Sequence, residues 1–155
     1  MTHFHPPLPR QRGFPGSPPA LDYPERLDMN EPKTRILLVD DEPSITQLLK
    51  LNLEQTGNYI VLTENDSISA LATAETFRPH LIILDVMMPG LDGGGVACIL
   101  QASPTMKDVP LVFLTAAVTR DEVRARHGDV GGMSFLAKPV NLQEVLDCLE
   151  DHLAA

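Results

Sequence analysis

From Lys33 onward the chain alternates short, unbroken aliphatic runs with longer amphipathic stretches. The runs are Ile36-Leu37-Leu38-Val39, Tyr59-Ile60-Val61-Leu62, Leu81-Ile82-Ile83-Leu84, Leu111-Val112-Phe113-Leu114 and the weaker Ser134-Phe135-Leu136-Ala137. A run that is apolar at every position, not at alternate ones, predicts a strand covered on both faces, as in a parallel sheet. The intervening stretches read as helices. Glu42-Pro43 opens the first, with Pro in the tolerated first turn; Ile45, Leu48, Leu49 and Leu53 follow at helical spacing, and Gly57 ends it. Asp66 or Ser67 caps a second that runs to about Phe77, and Gly93 to Ala102 predicts a third. Thr119 caps a short, charged fourth from Arg120 to about His127. Asn141 caps the last, where Leu142, Val145, Leu146, Leu149 and Leu153 form one apolar stripe. Five strands alternating with five helices predict an α/β domain: a doubly wound, five-stranded parallel sheet with helices on both faces.

The prolines set the other boundary. Pro6, Pro7, Pro9, Pro15, Pro18, Pro19, Pro24 and Pro32 all fall in residues 1–32. Such a stretch cannot hold a helix and has little to bury, so 1–32 reads as a disordered Pro-rich tail and 33–155 as the folded domain. Two other readings stay open for the tail. Pro6-Pro7-Leu8-Pro9-Arg10 could dock in a partner groove, or translation could start at Met29, placing 1–28 outside the native protein.

Charge narrows the partners. The formal net charge is -9, from 21 acidic and 12 basic residues. An acidic chain repels phosphate backbones and anionic lipid, so direct nucleic-acid binding and membrane insertion are not expected. No apolar run approaches the ~18 residues of a membrane span, and no apolar segment near the N-terminus suggests a secretory signal. Cys98 and Cys148 form neither a disulfide framework nor a zinc site, which suits the reducing cytoplasm.

Several aliphatic runs end in polar residues. The first leads into Asp40-Asp41, the third into Asp85, the fourth into Thr115 and the fifth into Lys138. In open α/β sheets ligands bind outside the carboxyl ends of the strands, where strand order reverses. With strand order 2-1-3-4-5, these groups share one crevice and the second strand is at the edge. Each residue alone has a plainer reading: Asp40 or Asp41 as a helix cap, Asp85 as the start of a turn at Met88-Pro89-Gly90. Together they resist it. Three carboxylates at a buried sheet edge repel and raise one another's pKa, so folding would not gather them without a cation. Lys138 supplies one positive charge and a divalent metal the rest. The candidate ligands are all oxygen, which favours Mg²⁺, with Mn²⁺ as a substitute, over zinc. Mg²⁺ usually also binds a phosphate, and Lys138 and Thr115 suit one. Asp85, on the middle strand, is then the best nucleophilic acceptor.

These residues resemble the receiver domain of bacterial two-component response regulators. The matching pieces are Ile36 through Pro43, Leu84 through Gly93, Leu114-Thr115-Ala116 and Phe135 through Val140, in order and at suitable spacings. The resemblance implies a flavodoxin-like fold. It implies that Asp85 accepts a phosphoryl group from a sensor histidine kinase or a histidine phosphotransfer protein. It makes Asp40, Asp41, Asp85 and the backbone carbonyl of Met87 the metal ligands. Thr115 and Lys138 would contact the phosphoryl oxygens, Phe135 would be the switch aromatic, and the Lys138–Pro139 bond would be cis. The charged segment 120–127 and the glycines around 128–132 depart from the family and suggest a truncated fourth helix.

The expectation is therefore a cytoplasmic, single-domain regulator that is not an enzyme acting on an external substrate. It would signal to a downstream protein by contact or by phosphate relay. Two rivals belong to other classes. An Asp-nucleophile phosphatase needs a second Asp two residues after the nucleophile as general acid, and Met87 stands there. A structural interaction module that is never phosphorylated would leave the complete acidic, hydroxyl and ammonium set unexplained.

Overall fold

The computed structural model describes residues 32–116, the backbone of 129–130, and residues 133–153. In chain order the elements are β1 (Thr34–Val39), α1 (Pro43–Gln55), β2 (Tyr59–Glu64), a 3₁₀ turn (Ser67–Ser69), α2 (Ala70–Phe77), β3 (Leu81–Asp85), α3 (Gly93–Ala102), β4 (Leu111–Thr115), β5 (Asp129–Val130), β6 (Met133–Ala137) and α4 (Leu142–Leu153). The sheet runs β2-β1-β3-β4-β6-β5. The five parallel strands thus follow the expected 2-1-3-4-5 order, with β6 as the fifth aliphatic run. The sheet also carries an addition: β5 pairs antiparallel with β6, Asp129 opposite Ser134 and Val130 opposite Met133. The second helical stretch begins not as α-helix but as the 3₁₀ turn, whose cap is Asp66, its carboxylate accepting the Ile68 N–H at 3.1 Å. The expected helix over 120–127 and the expected tail over 1–32, apart from Pro32, lie outside the described residues.

Alternation along the strands divides the core into two layers. Ile36 and Leu38 of β1 and Ile83 of β3 face α1 and α4, where they meet Leu49, Leu53, Val145 and Leu149. Leu37, Val39, Ile82 and Leu84 face α2 and α3, where they meet Ala70, Ala74, Val96 and Leu100. Every residue of β3 is buried, which makes it the sheet's centre. At roughly 1.5–3 kcal/mol per buried aliphatic side chain, these two layers supply the main driving force for folding.

The edge strand departs from the reading of a run covered on both faces. Ile60 is 44% and Leu62 37% exposed, while Val61 between them is buried. The backbone of Val61 points away from β1 and is closed by α1: Glu54 accepts its N–H at 3.0 Å, and Lys50 donates to its carbonyl. Lys50 and Glu54 also pair with each other at 2.9 Å, and that hydrogen bond, against the effect of burial, holds Glu54 below the usual carboxylate range. An open strand edge invites pairing with another chain. The double substitution Lys50→Ala with Glu54→Ala should therefore produce concentration-dependent self-association in sedimentation velocity, and adding Ile60→Lys should reverse it. A monomer at all concentrations would count against the role of this pair.

Candidate acidic site at the carboxyl edge of the sheet

The parallel register brings four strand ends to one line. Val39 lies beside Leu84, Asp85 beside Leu114, and Thr115 beside Ala137. The residues at or just beyond those ends are Asp40, Asp41, Asp85, Thr115 and Lys138. One carboxylate oxygen from each of Asp40, Asp41 and Asp85 lies within 4.8 Å of the others. The Lys138 ammonium is 2.9 Å from Asp40 Oδ2, 3.4 Å from Asp85 Oδ1 and 3.7 Å from Glu42 Oε1. Asp40, Asp85 and Thr115 are buried. The carbonyl of Thr115 accepts the Lys138 N–H at 2.9 Å, which ties the last two strand ends together. The Lys138–Pro139 peptide is cis.

The electrostatics follow from this crowding. Burial, and then the charge of Asp40, push the Asp85 carboxyl up to about 6, although Lys138 and the Met87 N–H draw it back. Burial disfavours the Lys138 ammonium, but its close contact with Asp40 and the charges of Asp40, Asp85 and Glu42 outweigh that, so its pKa rises. Asp40 Oδ1 accepts the Glu42 N–H at 3.0 Å. Asp40 Oδ2 is buried with no hydrogen-bond partner of suitable geometry; its contact with Lys138 is ionic. A buried, under-satisfied carboxylate oxygen is costly unless a cation completes it. Three clustered carboxylates facing one ammonium, with only oxygen donors, fit a small, hard divalent cation.

The remaining predicted residues sit around this cluster. The Met87 side chain is 70% exposed, and its N–H donates to Asp85 Oδ1 at 3.3 Å. Phe135 is not among the carboxylates. It stacks on Phe113 in the layer toward α2 and α3, with ring centroids 5.3 Å apart and planes at 28°.

Three contributors had no role assigned from sequence. Glu42 completes the negative surround of Lys138. Asn65 donates to the Asp40 carbonyl at 2.8 Å from the loop after β2. Gly93 packs so closely on the end of β3 that an added Cβ would lie 2.3 Å from the Asp85 carbonyl oxygen. Only the glycine run at the start of α3 hinted at the last of these.

A doubly wound sheet with this oxygen-lined, lysine-bearing pocket at its switch point defines a signalling receiver class, and comparison with known proteins makes it specific. The family described as the response regulator receiver domain matches residues 36–150. The chain belongs to that family. The transcriptional regulator RpaA of Synechocystis sp. is 37% identical over 113 residues, covering 72% of this chain and 46% of its own length. The alkaline phosphatase synthesis regulatory protein PhoP of Bacillus subtilis is 42% identical over 113 residues, covering 72% and 45%. The chain thus spans about half the length of these curated relatives. Among solved structures, the chemotaxis protein CheY4 of Vibrio cholerae superposes with a TM-score of 0.66 at 32% identity, covering 77% of this chain and 98% of its own. The receiver domain of the sensor histidine kinase PA1611 of Pseudomonas aeruginosa gives 0.66 at 29% identity, covering 80% and 100%; that structure holds a magnesium ion in its active-site cleft. Among the described residues, no helix is long and apolar enough to cross a membrane.

Proposed function

We propose that this domain is a phosphorylatable switch of a two-component system, with Asp85 as the acceptor. The observation that carries the proposal is the placement of Asp85: buried at the end of the central strand, beside two further carboxylates and 3.4 Å from an ammonium. A carboxylate oxygen of Asp85 attacks the phosphorus of a phosphohistidine. The new bond is an acyl phosphate, the P–N bond breaks, and the imidazole leaves with the electron pair. Lys138 then holds a phosphoryl oxygen, and the Thr115 hydroxyl donates to another. Asp40, Asp41, Asp85 and the Met87 carbonyl would hold Mg²⁺, with Mn²⁺ as the expected substitute. Bound by those residues, the ion would offset the charge gathered on the carboxylates and the phosphoryl group. Phosphorylation draws Thr115 toward the phosphoryl oxygens, and Phe135 turns into the space it leaves, which biases a two-state element.

The donor is a cytoplasmic sensor histidine kinase or a histidine phosphotransfer protein. An apolar groove of about 220 Å³ lies beside Lys138, lined by Ile45, Leu48, Leu49, Pro139, Val140 and Leu142. It offers a donor's apolar helix face a seat next to the acceptor. The output is a protein contact or a phosphate relay, not catalysis on an external substrate. The net charge of -9 favours this over contact with a polyanion; DNA binding is described for RpaA.

Incubation with a small-molecule phosphodonor and Mg²⁺, followed by intact-mass measurement, tests the reading. One phosphoryl group per chain is expected. No uptake would favour an inert interaction module, and continuous hydrolysis of phosphate esters would favour a phosphatase. In the same assay Leu48→Asp should slow transfer from a histidine kinase while leaving labelling by the small donor unchanged.

A further inference from the structure

We infer that Asn65 is a positioning residue for the acidic pocket, acting from the loop after β2 through the backbone of Asp40. The inference rests on the reading of that pocket as a Mg²⁺ site. Asn65 Nδ2 spends its two hydrogens on two neighbours: the Asp40 carbonyl at 2.8 Å and Thr46 Oγ1 at 3.1 Å. Thr46 is buried in the first turns of α1 and passes its own hydrogen to the Pro43 carbonyl at 3.1 Å. One carboxamide therefore spans both ends of the turn that carries Asp40, Asp41 and Glu42.

The turn's other ties hold different atoms: Lys138 pairs with the Asp40 and Glu42 side chains, and the Glu42 carbonyl accepts the Ile45 and Thr46 N–H groups. The Asp40 N–H donates to the Glu64 carbonyl, and Asp40 Oδ1 accepts from the Glu42 N–H. The Asp40 carbonyl takes its hydrogen from Asn65. Fixing that carbonyl fixes the peptide plane leading into Asp41, and so the direction in which both carboxylates point. The pocket needs such a hold because its three carboxylates repel, and a loosened turn lets them splay apart. Asn65 itself is exposed, and its amide hydrogens go to a backbone carbonyl and a hydroxyl, not to a carboxylate. Its effect is on aim, not on charge. Groups of this kind, which orient a metal's ligands without binding the metal, are worth tenfold or more in affinity.

Calorimetric titration of the folded protein with MgCl₂ alone tests this. Asn65→Ala is expected to weaken Mg²⁺ binding about tenfold while leaving the thermal midpoint nearly unchanged. Labelling by a small phosphodonor should slow at limiting Mg²⁺ and recover at saturating Mg²⁺. Amide exchange of Asp41 and Glu42 in metal-free buffer should speed up in the variant relative to β3. Affinity within twofold of the parent, or unaltered exchange in the turn, would overturn the inference. If the parent chain itself takes up no Mg²⁺, the metal reading fails instead, and the exchange measurement still decides whether Asn65 holds the turn.

Discussion

Asp85→Asn is expected to abolish phosphoryl uptake and, in metal-free buffer at neutral pH, to make the fold more stable. The amide keeps the size and shape of the carboxylate but is not a nucleophile, so uptake should fall to background. The gain in stability comes from repulsion. Burial and the charge of Asp40 raise the Asp85 carboxyl from an ordinary value of 3.8 to about 6. A folded-state pKa above the unfolded one means that the protonated form favours folding. Stability from this group is fully present below about 4 and is lost as pH rises through about 6. The difference sets an upper bound of about 3 kcal/mol at neutral pH, at ~1.4 kcal/mol per pH unit. The amide still has to replace the carboxylate's contacts with Lys138 and the Met87 N–H, so a gain of about 1–2 kcal/mol is expected. Denaturation with a chelator present should show the variant no more stable than the parent near pH 4, gaining on it as pH rises through 6 and running parallel above that. Adding Mg²⁺ should stabilise the parent and narrow the gap. Retained uptake in the variant would move the acceptor elsewhere, and equal stability at every pH would remove the repulsion from the account.

The carboxylates that repel one another here are marked in the amino-acid sequence itself. Asp40, Asp41, Asp85, Thr115 and Lys138 each follow an aliphatic run, and a parallel sheet sends all such ends the same way. Their convergence was therefore legible. Leu81-Ile82-Ile83-Leu84 was equally plain, because a central strand needs apolar side chains on both faces. Tyr59-Ile60-Val61-Leu62 looked the same in sequence but lies at the edge, where Ile60 and Leu62 face outward. Apolarity alone does not separate a central strand from an edge strand. The strand Asp129–Val130 has two residues, too few for any period, and exists through its pairing with β6. Asn65 was invisible for another reason: its role lies in a hydrogen bond across 25 positions of chain, with no local pattern to announce it.

Gly93 carries the second large effect, and its neighbour supplies the contrast. The start of α3 rests directly on the end of β3: the Gly93 N–H donates to the Val86 carbonyl at 2.9 Å. A Cβ at this position would lie 2.3 Å from the Asp85 carbonyl oxygen, 2.7 Å from Val86 Cα and 3.0 Å from the Asp85 carbonyl carbon. All three are backbone atoms of the segment that carries Asp85, the proposed acceptor, so no rotamer change relieves the clash. Gly93→Ala must push α3 off the sheet, which loosens Val96, Ala97 and Leu100 from their layer, or displace Asp85. A loss of about 2–4 kcal/mol is expected, at the upper end of overpacking effects. Gly94, one residue on, meets only the flexible Asp92 carboxylate, at 3.5 Å. Gly94→Ala should stabilise by about 0.4–1 kcal/mol, because alanine gives up less backbone freedom on entering a helix. Chemical denaturation of the two variants side by side gives the comparison, and opposite signs are the expected result. The Gly93→Ala protein that remains folded should also take up phosphate more slowly, since the atom that blocks the methyl group belongs to Asp85. Equal stability for the two variants would mean that α3 does not rest on Asp85, and the proposed acceptor would lack the backbone support that its contact with Gly93 implies.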